Sequence, residues 1–265
     1  MNHDRAAFNL FTVAMERMSG AIKALGARGT GDPNFDIVVD VGSYDLAMPD
    51  ILCDRIQSYS QHGEDVILAG LLRAMSIEAG EKPVILELGS NHPVNMSNTW
   101  LLYKQGYRSV LVEANPRYER DTVKARPEDT FLCAGVTPGN EREAILYVPQ
   151  HAEVASFSLP FVSSWYERRG WKAEIIEVKV PLHNINQIFE TYFDRLGPAI
   201  LTLDLEGLDF QIIQSIDWER WKPRIICLER DRRARSSAVA KRYLEEKGYE
   251  LIAATDVNDI FKARD

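Results

Sequence analysis

The chain has 265 residues, 45% hydrophobic and 26% charged, with a formal net charge of −8 and three cysteines. That length buries a core without disulfides or metal, the acidic balance disfavours broad binding to nucleic acid, and Cys53, Cys133 and Cys227 point to reduced thiols in a cytoplasmic setting. No apolar run approaches the ~20 residues of a transmembrane segment, and the charged N-terminus lacks the cleavage signature of a secretory signal.

Residues 5–25 place Phe8, Phe11, Ala14, Met15, Met18 and Ile22 at helical spacing. This predicts an amphipathic helix that packs on the body or on a second subunit as a homo-oligomer contact; its polar face is not basic enough for a membrane. Residues 27–50 are rich in Gly, Asp and Pro, so 1–56 reads as an N-terminal extension and 57–265 as the main domain. There, Ser60 can cap a helix from about Glu64 to Met75. Strand PVILELG follows, then a short helix from Thr99 to Gln105 ending at Gly106. Strand SVLVEAN, a charged helix near Arg117 to Ala125 and strand TFLCAGV come next, with an extra strand in AILYVP. Residues 150–172 hold aromatics and serines without a clear period and read as a long loop over a site. EVKVPLHNINQIFETYF gives a strand and a helix; then come strand AILTLDLEG, helix FQIIQSI, strand RIICLER, helix AVAKRYLEEKG and a last hairpin, YELIAATDVNDIFKA.

Strands alternating with helices imply an α/β fold, a mostly parallel sheet with helices on both faces. Ligands in such folds bind beyond the C-terminal ends of the strands. The first strand ends at Glu87-Leu88-Gly89 and the second at Glu113, an acid placed to take the two hydroxyls of an adenosine ribose. The intervening loop lacks the second and third glycines that a dinucleotide pyrophosphate needs. It carries Ser90, Asn91, Asn95, Ser97, Asn98 and Thr99 instead, small donors and acceptors that suit an adenosine joined to a zwitterionic amino acid. S-adenosylmethionine has that shape and no phosphate.

Later strands end in LDLEG and in Glu229. In extended chain Asp204 and Glu206 point the same way, and Glu229 and Asp231 join them if the strands are neighbours. Such carboxylates face a cleft, where they hold a hydroxyl, act as a general base or bind a divalent cation such as Mg2+, with Asp204, Glu229 and Asp231 as the ligands. His92, in the first loop, is a second candidate base; His183 reads as structural. The basic stretch Arg230 to Arg235 is a solvated face or a contact for an anionic sugar-phosphate or lipid-linked substrate.

The segments YSQHGEDVIL, LELGSNHPVNMSNTWLLYKQGYRSVLVEANP, ILTLDLEGLDFQIIQSID and PRIICLER resemble the FkbM family of S-adenosylmethionine-dependent methyltransferases. The resemblance spans about residues 57–265 and implies a class I methyltransferase, Rossmann-like fold with a seven-stranded sheet whose last strand is antiparallel. It implies O-methyl transfer to sugar hydroxyls of glycans, lipid-linked saccharides or glycosylated natural products. By resemblance Glu87, Gly89, Ser90, Asn91, Ser97 and Asn98 belong to the cofactor loop, and Glu113 and Asn115 to the ribose corner. Gln61 and Glu64 lie in a covering segment, and Asp204 and Glu206 beside the transfer site. The third strand offers no acid for adenine. The rival readings are an NAD-dependent nucleotide-sugar oxidoreductase or epimerase, and a silent scaffold of the same fold. Against the first stand the missing glycines and the lack of a convincing Tyr-x-x-x-Lys pair: Tyr243 and Lys247 have that spacing but lie on a late, exposed-looking helix.

Overall fold

The computed structural model describes residues 57–194, 196–230 and 234–264, without the side chains of 234–237. The helix expected over 5–25, Cys53 and the candidate ligand Asp231 lie outside the described residues. Seven helices are described, α1 (Glu64–Ala74), α2 (Trp100–Lys104), α3 (Glu119–Ala125), α4 (Leu159–Glu167), α5 (Ile185–Tyr192), α6 (Asp209–Ser215) and α7 (Ala234–Glu246). The strands are β1 (Ile85–Leu88), β2 (Ser109–Glu113), β3 (Thr130–Cys133), β4 (Gly135–Thr137), β5 (Glu143–Pro149), β6 (Ile175–Asn184), β7 (Ile200–Leu203), β8 (Ile225–Glu229), β9 (Tyr249–Ala254) and β10 (Asn258–Ala263).

The main sheet has seven strands in the order β3-β2-β1-β7-β8-β10-β9. The first five run parallel, and β10 lies antiparallel to both its neighbours. Successive side chains of a strand point to opposite faces, and the core follows that rule. Leu86, Val110, Leu201 and Ile226 point to one face, packed with Ile188 of α5 and Ile212 of α6. Their neighbours Ile85, Ile200, Ile225 and Cys227 point to the other, under Leu68 and Leu72 of α1 and Leu102 of α2. Strands covered on both sides are mostly apolar on both faces, which is why these runs do not alternate. Each fully buried Leu or Ile contributes roughly 1.5–3 kcal/mol.

From β1 the chain moves outward through β2 to β3, then returns to β7 on the other side. The turns after β1 and β7 therefore flank the switch point, where ligands sit in open α/β sheets.

Three expectations are corrected. TFLCAGV is not one strand: it divides at Ala134, with β3 in the main sheet and β4 in a separate three-stranded sheet of order β4-β6-β5. A continuous apolar run carries no mark of where a chain changes sheets. Residues 150–172 are not all loop, since α4 lies within them, its N-terminus capped by Ser158, which accepts from the Phe161 N–H, with a proline in its first turn. Ser60 is not the residue before α1; Gly63, at φ 87°, holds that place. Ser60 still accepts from the Asp65 N–H and donates to its carboxylate, so it steadies the helix start from a distance. No helix among the described residues is long and apolar enough to cross a membrane.

Candidate active site

The loop after β1 turns sharply at Gly89, where φ is 76°. A β-carbon there would stand 1.9 Å from the Asp204 carbonyl oxygen. The glycine is thus required by close approach to the turn after β7, in addition to lining the cleft. Asn91 also has positive φ, 50°, and its N–H donates to Glu113 Oε2 at 2.8 Å. The Asn115 N–H donates to Glu113 Oε1 at 2.7 Å. The Ala114 N–H also acts on this carboxylate, which leaves acceptor capacity on it for a ligand hydroxyl. Burial pushes the Glu113 carboxyl up, against the pull of its backbone donors.

The turn after β7 holds the acids. The strand ends at Leu203, and Glu206 sits at φ 52° before Gly207 at φ 100°, so Asp204 and Glu206 are not on one extended run as expected. Asp209, in the first turn of α6, explains the bend: its carboxylate accepts from the N–H groups of Leu205 and Gly207 at 3.0 and 3.2 Å. A non-glycine residue in this region is strained, and such strain collects at functional sites.

Because β7 and β8 are neighbours, Asp204 and Glu229 meet and share a hydrogen bond. Both are pushed up, first by depth at the cleft floor and then by mutual charge with Glu206 and Asp209; Glu229 reaches about 10. With both carboxyls raised, the pair holds a proton between its two side chains, and Glu229 is the one placed as its donor. Among the described residues no three His, Cys, Asp or Glu side chains are grouped to hold a metal ion. The third expected ligand, Asp231, lies outside the described residues, so Asp204 and Glu229 alone do not make up the expected divalent site.

One continuous cleft of about 1660 Å³ joins these parts. Gln61, Gly89, Asn91, Asn98 and Glu113 line it on the β1 side, and Asp204, Glu206, Asp209 and Glu229 on the other. A small inner recess of about 40 Å³ is lined by Glu87, Ser90, Asn98 and Asp204. The buried hydroxyl of Ser90 has no hydrogen-bond partner there. A buried polar atom without a partner costs roughly 1–3 kcal/mol, so it fits a ligand's polar end. α4 brings Phe161, Ser164, Trp165 and Arg168 to the cleft at helical spacing.

Several predicted residues brace the site, and some of them do not face it. His92 does not line the cleft; its Nδ1 accepts from the N–H groups of Val94 and Asn95, which puts the proton on Nε2 and leaves no lone pair for a base. Ser97 accepts from the Thr99 and Trp100 N–H groups at the start of α2. Asn115 donates to the Ala152 carbonyl and Asn91 to that of Glu153, tying down the segment over the Glu113 corner. Glu64 is buried and accepts from Thr255 and the His62 N–H. Among the aromatics of 150–172, Phe157 lines the cleft and packs its ring on Gly135, Tyr166 is buried in a small core with Val154 and Val162, and Trp171 is exposed.

Two residues escaped the sequence reading. Asp209 was signalled by an acid in the first turn of a helix. Arg126 had no signal, yet it is fully buried and bonds Asp129, Thr99 and Ser109, 3.6 Å from Glu87. Burial raises the Glu87 carboxyl and Arg126 lowers it in part.

This sheet order, with an antiparallel seventh strand and an acid at the end of β2 beside a cleft, defines a class I S-adenosylmethionine-dependent methyltransferase. More narrowly, the chain belongs to the methyltransferase FkbM domain family, whose sequence model matches residues 87–251, more than half of its length. No curated protein matches it. Among solved structures it is similar to precorrin-6y C5,15-methyltransferase from Geobacter metallireducens (13% identity, 77% of this chain and 88% of that one, TM-score 0.40). It is also similar to a TehB-like methyltransferase from Corynebacterium glutamicum (10%, 76% and 88%, TM-score 0.38) and a methyltransferase from Pyrococcus furiosus (11%, 75% and 82%, TM-score 0.34).

Proposed function

We propose that residues 57–265 form a cytoplasmic O-methyltransferase for a saccharide hydroxyl, in a glycan, a lipid-linked saccharide or a glycosylated natural product. The observation that carries this reading is the Asp204–Glu229 pair on the floor of a cleft that also reaches Glu113. Bound S-adenosylmethionine supplies an electrophilic methyl group. Glu113 accepts from the ribose hydroxyls, and the recess around Ser90 and Asn98 receives the amino-acid end. The cleft exceeds the roughly 300–1,000 Å³ of a site for one small ligand, which leaves room for an acceptor. Asp204 takes the proton of the acceptor hydroxyl as its oxygen attacks, and the proton on Glu229 steadies the Asp204 carboxylate until then. A base whose pKa is raised by burial and by neighbouring acids holds a proton better than an ordinary aspartate does. No step is assigned to a divalent cation.

The test is calorimetric titration with S-adenosylhomocysteine and, in parallel, NAD, followed by methyl transfer to a panel of saccharides. Micromolar binding of the first and methylated sugar as product support the reading. Cofactor binding with no transfer to any hydroxyl would favour a scaffold, and binding of NAD alone an oxidoreductase.

A further inference from the structure

The cleft has two electrical ends. Its floor gathers Asp204, Glu206, Asp209 and Glu229 at the strand ends. Its rim, at the C-terminus of α4, carries Arg168 and Arg169, both exposed and both lining the cleft. The third arginine of the lining, Arg230, is already engaged: it lies 3.3 Å from Asp259 and donates to the Thr255 carbonyl. Among the described residues no carboxylate forms an ion pair with Arg168 or Arg169.

Arg169 is held in place. Its guanidinium lies 3.5 Å from the centre of the Trp165 ring and donates to the Trp165 carbonyl at 3.1 Å. Trp165 in turn contacts His151, Tyr166 and Trp171, and Tyr166, almost wholly buried, accepts from the His151 N–H. A cation stacked on an aromatic base loses less freedom when it binds an anion than one on a mobile stem. Arginine's planar fork matches phosphate and carboxylate oxygens in pairs. In a chain of net charge −8, two cations facing a cleft, with no ion pair to either among the described residues, form a local attraction for an anion.

From this arrangement we propose that the acceptor bears an anionic group, phosphate or carboxylate, which Arg168 and Arg169 hold at the rim while its hydroxyl reaches Asp204. The acidic floor repels the same group, so the two ends together orient the acceptor. This rests on the methyl-transfer reading of the cleft. A competing role for both arginines is to offset the negative end of the α4 dipole, which needs no ligand.

The experiment uses the full chain saturated with S-adenosylhomocysteine, titrated with glucose 1-phosphate, glucuronate and glucose. The expected result is binding of a charged probe at least ~10-fold tighter than glucose, a preference that high salt abolishes. The stronger of the two charged probes identifies phosphate or carboxylate as the source. In Arg168→Gln/Arg169→Gln that preference disappears while affinity for S-adenosylhomocysteine stays within about twofold. Equal binding of charged and neutral probes overturns the proposal, as does a preference that survives in the double variant with only the melting temperature lowered. If the double variant does not fold, the salt dependence in the unaltered protein decides. Failure to bind S-adenosylhomocysteine at all would count against the methyl-transfer reading instead.

Discussion

The carbonyl of Asp204 occupies the space that a side chain on Gly89 would need, 1.9 Å from its β-carbon. The cofactor loop and the acidic turn are therefore in backbone contact across the switch point. Gly89→Ala adds that clash to a positive φ, and both turns must shift. The expected outcome is a lower melting temperature together with at least ~10-fold weaker binding of S-adenosylhomocysteine, read by calorimetry. Normal affinity would show that the loop can relax without moving its ligand.

Replacing Asp204 by Asn keeps the shape of the side chain and removes the base. Turnover should fall by roughly 10²–10⁴-fold, the usual contribution of a general base, with affinity for S-adenosylhomocysteine nearly unchanged. Single-turnover kinetics with a methylated acceptor as the readout separates the two. Turnover within twofold of normal would remove Asp204 from the proton transfer.

Glu113 does two tasks at once. It accepts from the N–H groups of Asn91 and Asn115 and lines the cleft. Glu113→Ala leaves the backbone donors of Asn91 and Asn115, and that of Ala114, without their acceptor, at roughly 1–3 kcal/mol each, and removes the acceptor for the ribose. Calorimetry should show no binding of S-adenosylhomocysteine at concentrations that saturate the unaltered protein, and retained binding would place the ribose elsewhere.

The proton on Glu229 makes a prediction about pH. Its folded value of about 10 lies above its ordinary 4.5, so the folded chain holds a proton that the unfolded chain releases. Stability from this group is full below about 4.5 and is lost as pH rises towards 10. Glu229→Gln cannot ionise, so its melting temperature should gain on that of the unaltered protein between about pH 5 and about pH 9. Parallel melting curves would show that Glu229 ionises as freely folded as unfolded.

Arg126 is the countercharge for Glu87 and Asp129 inside the molecule. Arg126→Met leaves both acids buried without it, a change that typically costs about 3–5 kcal/mol. Denaturation in urea should show a loss of that size, and adding Glu87→Gln should recover part of it. No recovery would mean that the two side chains do not interact in solution.

Much of this was legible in the chain. Val84 to Leu88 and Ile200 to Leu203 read as buried strands because short, mostly apolar runs rich in β-branched residues and leucine, each closed by a glycine turn, suit a strand covered on both faces. Glu113 could be placed because a strand, a glycine and an acid came in order. The helix α4 was missed although Phe161, Val162, Trp165 and Tyr166 share one helical face and Ser158 and Pro160 mark its start, because the stripe spans barely two turns amid irregular chain. The hydrogen bonds of His92 were not legible, because a histidine in a ligand loop has the same letter whether its Nδ1 faces a substrate or, as here, two backbone N–H groups. Arg126 is beyond any local pattern: only the packed structure brings it to Glu87.

Glu64 and Thr255 stand 191 residues apart in sequence and share a hydrogen bond. Closing so long a span is entropically slow, so the first helix of the domain is completed by nearly its last residues. While the chain is being made, Glu64 must wait in water until the final hairpin emerges. A product cut short before Thr255 would have to bury that carboxylate without its hydroxyl or leave α1 undocked, and in the second case the apolar face of β1 stays open to other chains.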